Sequence, residues 1–152
     1  MIFLDTDVCV AYLRGDARIV AKVRSLDPDD LAVSAMTAAE LFYGAEKAND
    51  PDRSRMRVEE FLGSLDVVQT DENTVRTFGY VKAYLAKAGL SIPDADLLVA
   101  AAALSRSCPL ASGNVRHFSR IWGLQLQNWF EAPPPAPPAR TRASARRSRR
   151  RP

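Results

Sequence analysis

The residues best suited to chemistry in this chain are four acids that stand next to apolar segments. They are Asp5, Glu40, Asp94 and Asp96. Carboxylates that meet in one place repel each other, and a bound cation removes that repulsion. Oxygen ligands without a second histidine or a pair of cysteines nearby favour Mg²⁺, with Mn²⁺ as a substitute, over zinc. If these acids converge, the sequence therefore predicts a magnesium site.

Each acid also has a purely structural explanation, because acids at the start of a helix stabilise that helix. Against this, Asp5 directly follows an apolar strand and Asp96 directly precedes an apolar helix, where an unpaired charge is costly. The structural alternatives are a helix N-cap for Asp5, Asp7 and Asp94, a capping box for Glu40 with Thr37, and a helix-dipole contact for Asp96.

The elements that must position these acids alternate between strands and helices along the chain. The pattern predicts strands over 2–4, 31–33, 66–68, 110–111 and 124–126, and helices over 8–13, 18–26, 37–47, 53–62, 72–88 and 96–104. Such alternation is typical of an α/β fold with a parallel sheet covered by helices on both faces. Ligands of these sheets bind beyond the carboxyl ends of the strands, which is where Asp5 and the polar residues Ser112, Gly113 and Asn114 fall.

Composition divides the chain into a domain, 1–131, and a Pro/Arg-rich tail, 132–152. Seven of the 21 basic residues lie in the tail, which has no acid, so residues 1–131 carry 14 basic and 18 acidic side chains and a net charge of −4. The tail has too few apolar residues to fold, and we expect it to be disordered. Its arginines are either a solvated terminus that binds polyanions weakly or a dedicated RNA-binding arm.

The sequence also limits the location of the protein and the kind of site it contains. We expect no membrane span and no signal peptide, and two isolated cysteines indicate a reduced, cytoplasmic protein. His117 is the single histidine, which excludes a zinc site built from several histidines. No GxSxG, P-loop or GxGxxG motif occurs, so neither a serine hydrolase nor a nucleotide cofactor is indicated.

Taken together, five segments resemble the PIN-domain ribonucleases, and in particular the VapC-type toxins of bacterial toxin–antitoxin pairs. The resemblance covers about residues 1–130, and its specificity comes from the order and spacing of the segments. They are Met1-Ile2-Phe3-Leu4-Asp5-Thr6-Asp7, Thr37-Ala38-Ala39-Glu40-Leu41-Phe42-Tyr43-Gly44, Ile92-Pro93-Asp94-Ala95-Asp96-Leu97-Leu98-Val99-Ala100-Ala101-Ala102-Ala103, Ser112-Gly113-Asn114-Val115-Arg116-His117-Phe118, and 123–129.

This resemblance implies a three-layer PIN-like fold with a five-stranded parallel sheet, and Mg²⁺-dependent cleavage of RNA phosphodiesters. It implies that Asp5, Glu40 and Asp96 are the catalytic acids. Of these, Asp5 and Asp96 would bind the metal directly, and Glu40 would orient a water molecule on it. Asp94 would be an auxiliary metal ligand, Ser112 and Asn114 would be auxiliary site residues, and Arg116 would contact the RNA backbone.

Two positions depart from the family pattern. Asp7 stands where the family often has asparagine, and Ser112 and Asn114 occupy the family's Thr-x-Asp positions. Many toxins of this type also carry asparagine there, so the change weakens only the case for a tightly held second metal.

The resemblance also implies that the protein forms a homodimer or a toxin–antitoxin hetero-oligomer. The antitoxin would fill an apolar groove between the early helices and place a basic side chain over the acids. Candidate groove residues are Tyr12, Leu13, Leu41, Phe42 and Tyr43, with the protein core as the alternative place for Leu41. Tyr43, Trp122 and Trp129 are candidates for stacking on RNA bases, and burial is the alternative for Trp129.

Two other functions stay open at this point. The first is a PIN-like module that has lost catalysis and only binds RNA or protein. The second is a small-molecule phosphohydrolase, since Asp5-Thr6-Asp7 has the letters of a haloacid-dehalogenase nucleophile turn. That fold would also need a lysine and a late pair of aspartates after an apolar strand, whereas Asp94 and Asp96 open a predicted helix.

Overall fold

The computed structural model describes residues 1–131, so the predicted tail, 132–152, lies outside the described residues. The strands are β1 (Ile2–Leu4), β2 (Leu31–Ser34), β3 (Asp66–Val68), β4 (Leu110–Ala111) and β5 (Leu126–Gln127). The helices are α1 (Thr6–Arg14), α2 (Ala17–Arg24), α3 (Ala35–Glu46), α4 (Pro51–Leu62), α5 (Glu72–Lys87), α6 (Asp94–Leu104) and α7 (Val115–Phe118), and a 3₁₀ turn precedes β2.

The five strands form one sheet in the order β3-β2-β1-β4-β5, and every neighbouring pair is parallel. Phe3 of β1 is paired with Ala32 on one side and with Leu110 on the other. This central position places the carboxyl end of β1, and therefore Asp5, in the middle of the edge where ligands of parallel sheets bind. The predicted α/β fold with a five-stranded parallel sheet is confirmed.

Two apolar cores, one on each face of the sheet, make the molecule three layers thick. On one face, Leu4 and Val33 pack with side chains of α1 to α4. On the other face, Phe3 and Leu110 pack with side chains of α5, α6 and α7. Neighbouring residues of β1 therefore serve opposite cores, as the alternation of side chains along a strand requires.

The observed helix starts correct two of the structural explanations for the acids. α3 begins at Ala35 and not at Thr37, and the Oγ of Ser34 accepts a hydrogen bond from the backbone N–H of Thr37 at 3.0 Å. The predicted Thr37–Glu40 capping box is therefore wrong, which leaves the carboxylate of Glu40 free for another contact. α6 begins at Asp94, so Asp94 is its first residue and not its N-cap.

Two further features of the fold bear on the sequence predictions. The short helix α7 was not predicted, and β5 begins at Leu126 instead of residue 124. Among residues 1–131, no helix is long and apolar enough to cross a membrane. Cys9 is buried and Cys108 is partly buried, and both are free thiols.

Candidate active site

Asp5 lies at the carboxyl end of β1 and is 6% exposed. Its two oxygens accept hydrogen bonds from the Thr6 backbone N–H at 2.8 Å and from the Ser112 hydroxyl at 2.6 Å. Burial, together with the neighbouring charges of Asp7 and Asp96, raises the pKa of Asp5 to about 7 against the lowering effect of the two hydrogen bonds. The fold therefore holds a carboxylate where ionisation is disfavoured.

Asp7 brings a second carboxylate to the same place from the first turn of α1. One of its oxygens accepts hydrogen bonds from the Gly113 backbone N–H at 2.8 Å and from the Ser112 hydroxyl at 3.4 Å. The other oxygen, Oδ1, is buried and has no hydrogen-bond partner among residues 1–131. Burial raises the pKa of Asp7, and the charge of Asp96 contributes to the rise.

Asp96, in the first turn of α6, is the third acid of the site. Its Oδ2 accepts a hydrogen bond from the Asn114 side-chain amide at 3.1 Å and lies 2.6 Å from Nδ1 of His117. Asn114 also donates its backbone N–H to the Ser112 hydroxyl at 2.9 Å. A continuous chain of hydrogen bonds therefore joins Asp96 to Asp5 across the end of β4.

Glu40 reaches the site from α3 through a single bridging residue. The Thr6 hydroxyl donates a hydrogen bond to Oε2 of Glu40, while the Thr6 backbone N–H donates to Asp5. Thr6 thus holds two acids that are 35 positions apart in the sequence. The structure brings Asp5, Glu40 and Asp96 to one edge of the sheet, as the sequence analysis expected.

Asp94 has a different set of contacts, although it lies only two residues before Asp96. Both of its oxygens accept hydrogen bonds from Nζ of Lys82 at 2.7 Å, and the side chain of Asp94 is exposed. Lys82 belongs to α5, and its Nζ also lies 5.3 Å from the ring centroid of Phe78. The structure therefore does not bring Asp94 together with the other acids, and its assignment as an auxiliary metal ligand stays a prediction.

The chemistry of this cluster, hereafter the carboxylate edge (Asp5, Asp7, Glu40 and Asp96), fits a divalent cation. Among residues 1–131, no three acidic, histidine or cysteine side chains form a closed metal-binding group. The acids are instead joined through Thr6, Ser112 and Asn114. A buried oxygen without a partner and two carboxyl groups of raised pKa are what a hard cation with oxygen ligands would satisfy.

Comparison with known families identifies the kind of domain that carries this edge. The model of the PIN domain family matches residues 2–123. The chain belongs to the PIN-domain family. The resemblance found in the sequence is thereby confirmed over most of the described residues.

The relatives of this PIN domain are bacterial. The chain is 31% identical over 126 residues to the tRNA(fMet)-specific endonuclease VapC of Shigella flexneri, which covers 83% of this chain and 96% of the relative. It is 33% identical over 126 residues, with the same coverage, to ribonuclease VapC2 of Haemophilus influenzae. The DNA-bound VapBC structure from Salmonella typhimurium superposes with a TM-score of 0.80 at 30% identity, over 84% of this chain and 97% of that chain.

The remaining predicted site residues of the PIN domain are distributed as follows. Ser112 is buried within the carboxylate edge, and Arg116 is exposed on α7. Trp129 is buried, which confirms the core alternative, and its Nε1 donates a hydrogen bond to the Gln127 side chain at 3.0 Å. Tyr43 and Trp122 are both exposed, at 65% and 84%.

Three residues that belong to the carboxylate edge or contact its acids were not assigned to the site from the sequence: Thr6, Asp7 and His117. Thr6 and Asp7 directly follow the first acid at a strand end, and this Asp-x-Asp spacing was a pattern that could have revealed them. His117 lies three residues after Asn114, a spacing that brings two side chains together on one helical turn. The missed helix α7 is the reason why this pairing was not visible in the sequence.

Proposed function

We propose that this protein is a metal-dependent endoribonuclease and acts as the toxin of a toxin–antitoxin pair. The observation that carries the proposal is the convergence of Asp5, Asp7 and Asp96 at the carboxyl end of a parallel sheet without a lysine or arginine partner among residues 1–131. The names of the VapC relatives support the ribonuclease activity. The VapBC complexes among the structural neighbours support an antitoxin partner.

In this proposal, Asp5 and Asp96 would hold Mg²⁺, for which Mn²⁺ is the natural substitute, because both bring carboxylate oxygens to the edge. When bound, the cation makes water more acidic and offsets the negative charge of the phosphodiester. The buried Oδ1 of Asp7 is the third oxygen available to it. Asp94 is paired with Lys82 and not with these acids, so the auxiliary role that the resemblance implies for it is tested by comparison with Asp96.

The other residues of the edge position the reacting groups. The Thr6 hydroxyl fixes the carboxylate of Glu40, which would accept a proton from water as that water attacks the phosphorus and the P–O bond to the leaving ribose oxygen breaks. Ser112 and Asn114 orient Asp5 and Asp96 through their hydrogen bonds. Each of these contacts reduces the reorganisation needed when the substrate binds.

RNA is the proposed substrate, with Arg116 as an exposed cation beside the edge on α7. An initiator-tRNA transcript is the first defined RNA to test, since the Shigella relative is named for tRNA(fMet). The homodimer implied by the resemblance stays a prediction, which sedimentation of the purified protein would test.

The proposed antitoxin site is a groove between α1, α3 and α4, with a cavity volume of about 310 Å³. Glu40 lies in its wall, so a segment seated in the groove reaches the carboxylate edge. This geometry is typical of helix-in-groove recognition, with a basic side chain placed over the acids. The apolar lining residues are Val10, Leu13, Leu41, Ala45 and Val58.

The residues predicted for this groove differ in their positions. Leu13 and Leu41 line it, although Leu41 is also almost fully buried in the core. The ring of Tyr12 stacks on Phe61 with centroids 4.9 Å apart. Tyr43 is exposed on α3, with Nζ of Lys47 5.0 Å from its ring centroid.

The direct test is incubation of the purified protein with total RNA and with initiator tRNA in Mg²⁺, in chelator, and in chelator followed by Mn²⁺. Asp5→Asn is assayed beside the wild type. We expect cleavage of a few discrete RNAs that chelator abolishes, Mn²⁺ restores and the variant lacks. Cleavage that persists in Asp5→Asn would contradict the metal site.

The same assay separates the two alternatives. Binding of RNA without any cleavage in Mg²⁺ or Mn²⁺ would indicate a PIN module that has lost catalysis. Release of phosphate from a generic phosphate ester, without RNA cleavage, would indicate a phosphohydrolase. The match to the PIN family over residues 2–123 favours the ribonuclease over this last alternative.

A further inference from the structure

A second cleft opens directly beside the carboxylate edge, on the flank of α1 that faces the end of the described chain. Its volume is about 700 Å³. Asp7 lines this cleft and is also an acid of the carboxylate edge. Gly113, whose backbone N–H donates to Asp7, lines the cleft as well. We call it the α1–C-terminal cleft, and its lining residues are Asp7, Val10, Ala11, Arg14, Gly15, Asp16, Gly113, Asn128 and Phe130.

One wall of this cleft is a single stripe along α1. Asp7, Val10, Ala11 and Arg14 have the spacing that places side chains on one face of a helix. With a rise of 1.5 Å per residue, Asp7 and Arg14 are separated by about 10 Å along the helix axis. The stripe therefore begins with an acid of the carboxylate edge and ends with a cation at the far end of the cleft.

The opposite wall is the segment after β5, which is held in place by several hydrogen bonds. Arg18 donates from Nη1 to the backbone carbonyl of Phe130 at 2.7 Å, and the Phe130 backbone N–H donates to the Asn128 side chain at 3.0 Å. The Asn128 amide donates in turn to Glu131 at 2.8 Å. Buried Trp129 anchors the same segment, so the Phe130 ring has a fixed position.

Phe130 lies immediately next to the carboxylate edge. A Cβ placed on Gly113 would lie 2.7 Å from Cδ2 of Phe130 and 3.1 Å from Oδ2 of Asp7. The absence of a side chain at Gly113 is therefore what allows the aromatic ring to approach the acids. An aromatic ring that is fixed beside a phosphodiester-cleaving site is suited to stack on a base.

Building on the nuclease activity proposed above, we propose that the α1–C-terminal cleft binds the nucleotide adjoining the cleaved phosphodiester, with its base on Phe130 and its distal phosphate on Arg14. The charges of the cleft match this orientation. Asp7 lies at the end that a cation would occupy, the centre is uncharged around Val10 and Phe130, and Arg14 lies at the distant end. Asp16 also lines that distant end, where its Oδ1 accepts hydrogen bonds from the backbone N–H groups at the start of α2. The antitoxin groove lies against α3 and α4, and it meets this cleft along α1, where Val10 and Arg14 line both.

The test measures RNA affinity in chelator, where no cleavage occurs, and single-turnover cleavage in Mg²⁺. Phe130→Leu keeps the apolar bulk and removes the aromatic face, and Phe130→Trp restores it. Loss of base stacking should weaken RNA binding by roughly 5- to 100-fold in Phe130→Leu, whereas Phe130→Trp should stay within about 3-fold of the wild type. Tyr80→Leu, which removes an exposed aromatic side chain on α5, is the matched control and should change nothing.

A substrate with one abasic nucleotide next to the cleavage site identifies the base that Phe130 contacts. The abasic site should weaken binding to the wild type but not to Phe130→Leu, because both changes remove the same contact. Arg14→Gln should weaken binding of the normal and the abasic RNA equally, and Arg14→Lys should restore most of it. Arg14→Gln also keeps the test decisive if Phe130→Leu fails to fold.

The outcomes distinguish this proposal from the nuclease proposal. Wild-type protein that cleaves no RNA would overturn both. Wild-type protein that cleaves RNA, together with a Phe130→Leu variant of unchanged affinity, would overturn only the nucleotide site. An equal abasic penalty in wild type and Phe130→Leu would also overturn it, since the missing base would then contact another residue.

Discussion

The acids of the carboxylate edge and the acids of the outer surface differ in what neutralises them. On the surface, Glu72 is paired with Arg76, Asp94 with Lys82, and Asp71 with Arg106. At the edge, Asp5 and Asp7 are buried and receive only neutral hydrogen-bond donors from residues 1–131. The surface acids are neutralised by the fold itself, whereas the proposed cation would neutralise Asp5 and Asp7; Asp96 also lies 2.6 Å from Nδ1 of His117.

The pKa shifts have opposite directions in the two regions. Hydrogen bonds from Thr74, together with the charge of Arg106, lower the pKa of Asp71. Burial raises the pKa of Asp5 to about 7. Buried like charges that oppose folding are typical of a functional site, because the fold gains nothing from them without a ligand.

The largest expected effect is the difference in RNA cleavage between variants of the two aspartates at the start of α6. Asp96→Asn should reduce RNA cleavage by at least about 100-fold, because it removes a proposed metal ligand. Asp94→Asn should change cleavage by no more than about 3-fold, because an exposed ion pair with Lys82 contributes little. Single-turnover rates at saturating Mg²⁺ provide the comparison. Equal losses would show that Asp94 also acts in the site, as the sequence analysis predicted.

A smaller loss is expected when the bridge between two edge acids is removed. Thr6→Val removes the hydroxyl that donates to Glu40 but keeps the shape of the side chain and the backbone N–H to Asp5. We expect the cleavage rate to fall by about 10-fold with little change in metal affinity. Thr6→Ser keeps the hydroxyl and should retain most of the rate. If Thr6→Val also abolishes metal binding, Glu40 is a metal ligand and not a proton acceptor.

Without divalent cation, the contributions of Asp5 and Asp71 to folding stability should change with pH in opposite directions. The folded pKa of Asp5 lies above its unfolded value of about 4, so Asp5 opposes folding as pH rises from about 4 through 7. Asp71 has a lowered pKa, so its stabilising contribution is present near neutral pH and is lost on acidification.

Urea denaturation in chelator at pH 7.5 measures this contrast. Asp5→Asn should make the metal-free protein more stable than the wild type, and Asp71→Asn should make it less stable. At pH 4 both differences should become smaller, because Asp5 is then neutral in the native state and the carboxyl group of Asp71 becomes partly protonated in the unfolded state. Destabilisation by Asp5→Asn at pH 7.5 would mean that the carboxylate is stabilised by its hydrogen bonds and needs no cation.

The smallest effect is expected for an exposed surface pair. Arg76→Gln breaks the contact with Glu72, whose side chain is about as exposed as that of Arg76. The melting temperature should change by no more than about 2 °C, because solvent and salt screen such pairs. Differential scanning calorimetry at low and moderate salt measures this change. A much larger shift would mean that the surface pairs contribute more to the stability of the fold than the comparison assumes.

Much of the fold could be predicted because its strongest patterns are local. Apolar strands at residues 2–4 and 66–68, and the long helix ending before Gly89, need no tertiary contact to be recognised in the sequence. Gly89 has a φ of 68°, the left-handed conformation expected after a helix end. The parallel order of the strands followed from their alternation with helices.

The rest depended on contacts between distant residues. The start of α3 was misplaced because Ser34 and Thr37 are both good caps, and the structure identifies Ser34, at the end of β2, as the cap that accepts the Thr37 backbone N–H. Asp94 and Asp96 lie two residues apart on α6, and their partners come from distant segments: Lys82 of α5 for Asp94, and Asn114 and His117 for Asp96. The role of Thr6 as a bridge was equally invisible, because its partner Glu40 lies on another helix.

The most direct measurement is calorimetric titration of Mn²⁺ into metal-free protein at pH 7.5, comparing the wild type with Asp5→Asn, Asp96→Asn and Asp94→Asn. The account predicts saturable binding by the wild type and by Asp94→Asn, and loss of that binding in the other two variants. Absence of binding by the wild type, or undiminished binding by Asp5→Asn and Asp96→Asn, would contradict it.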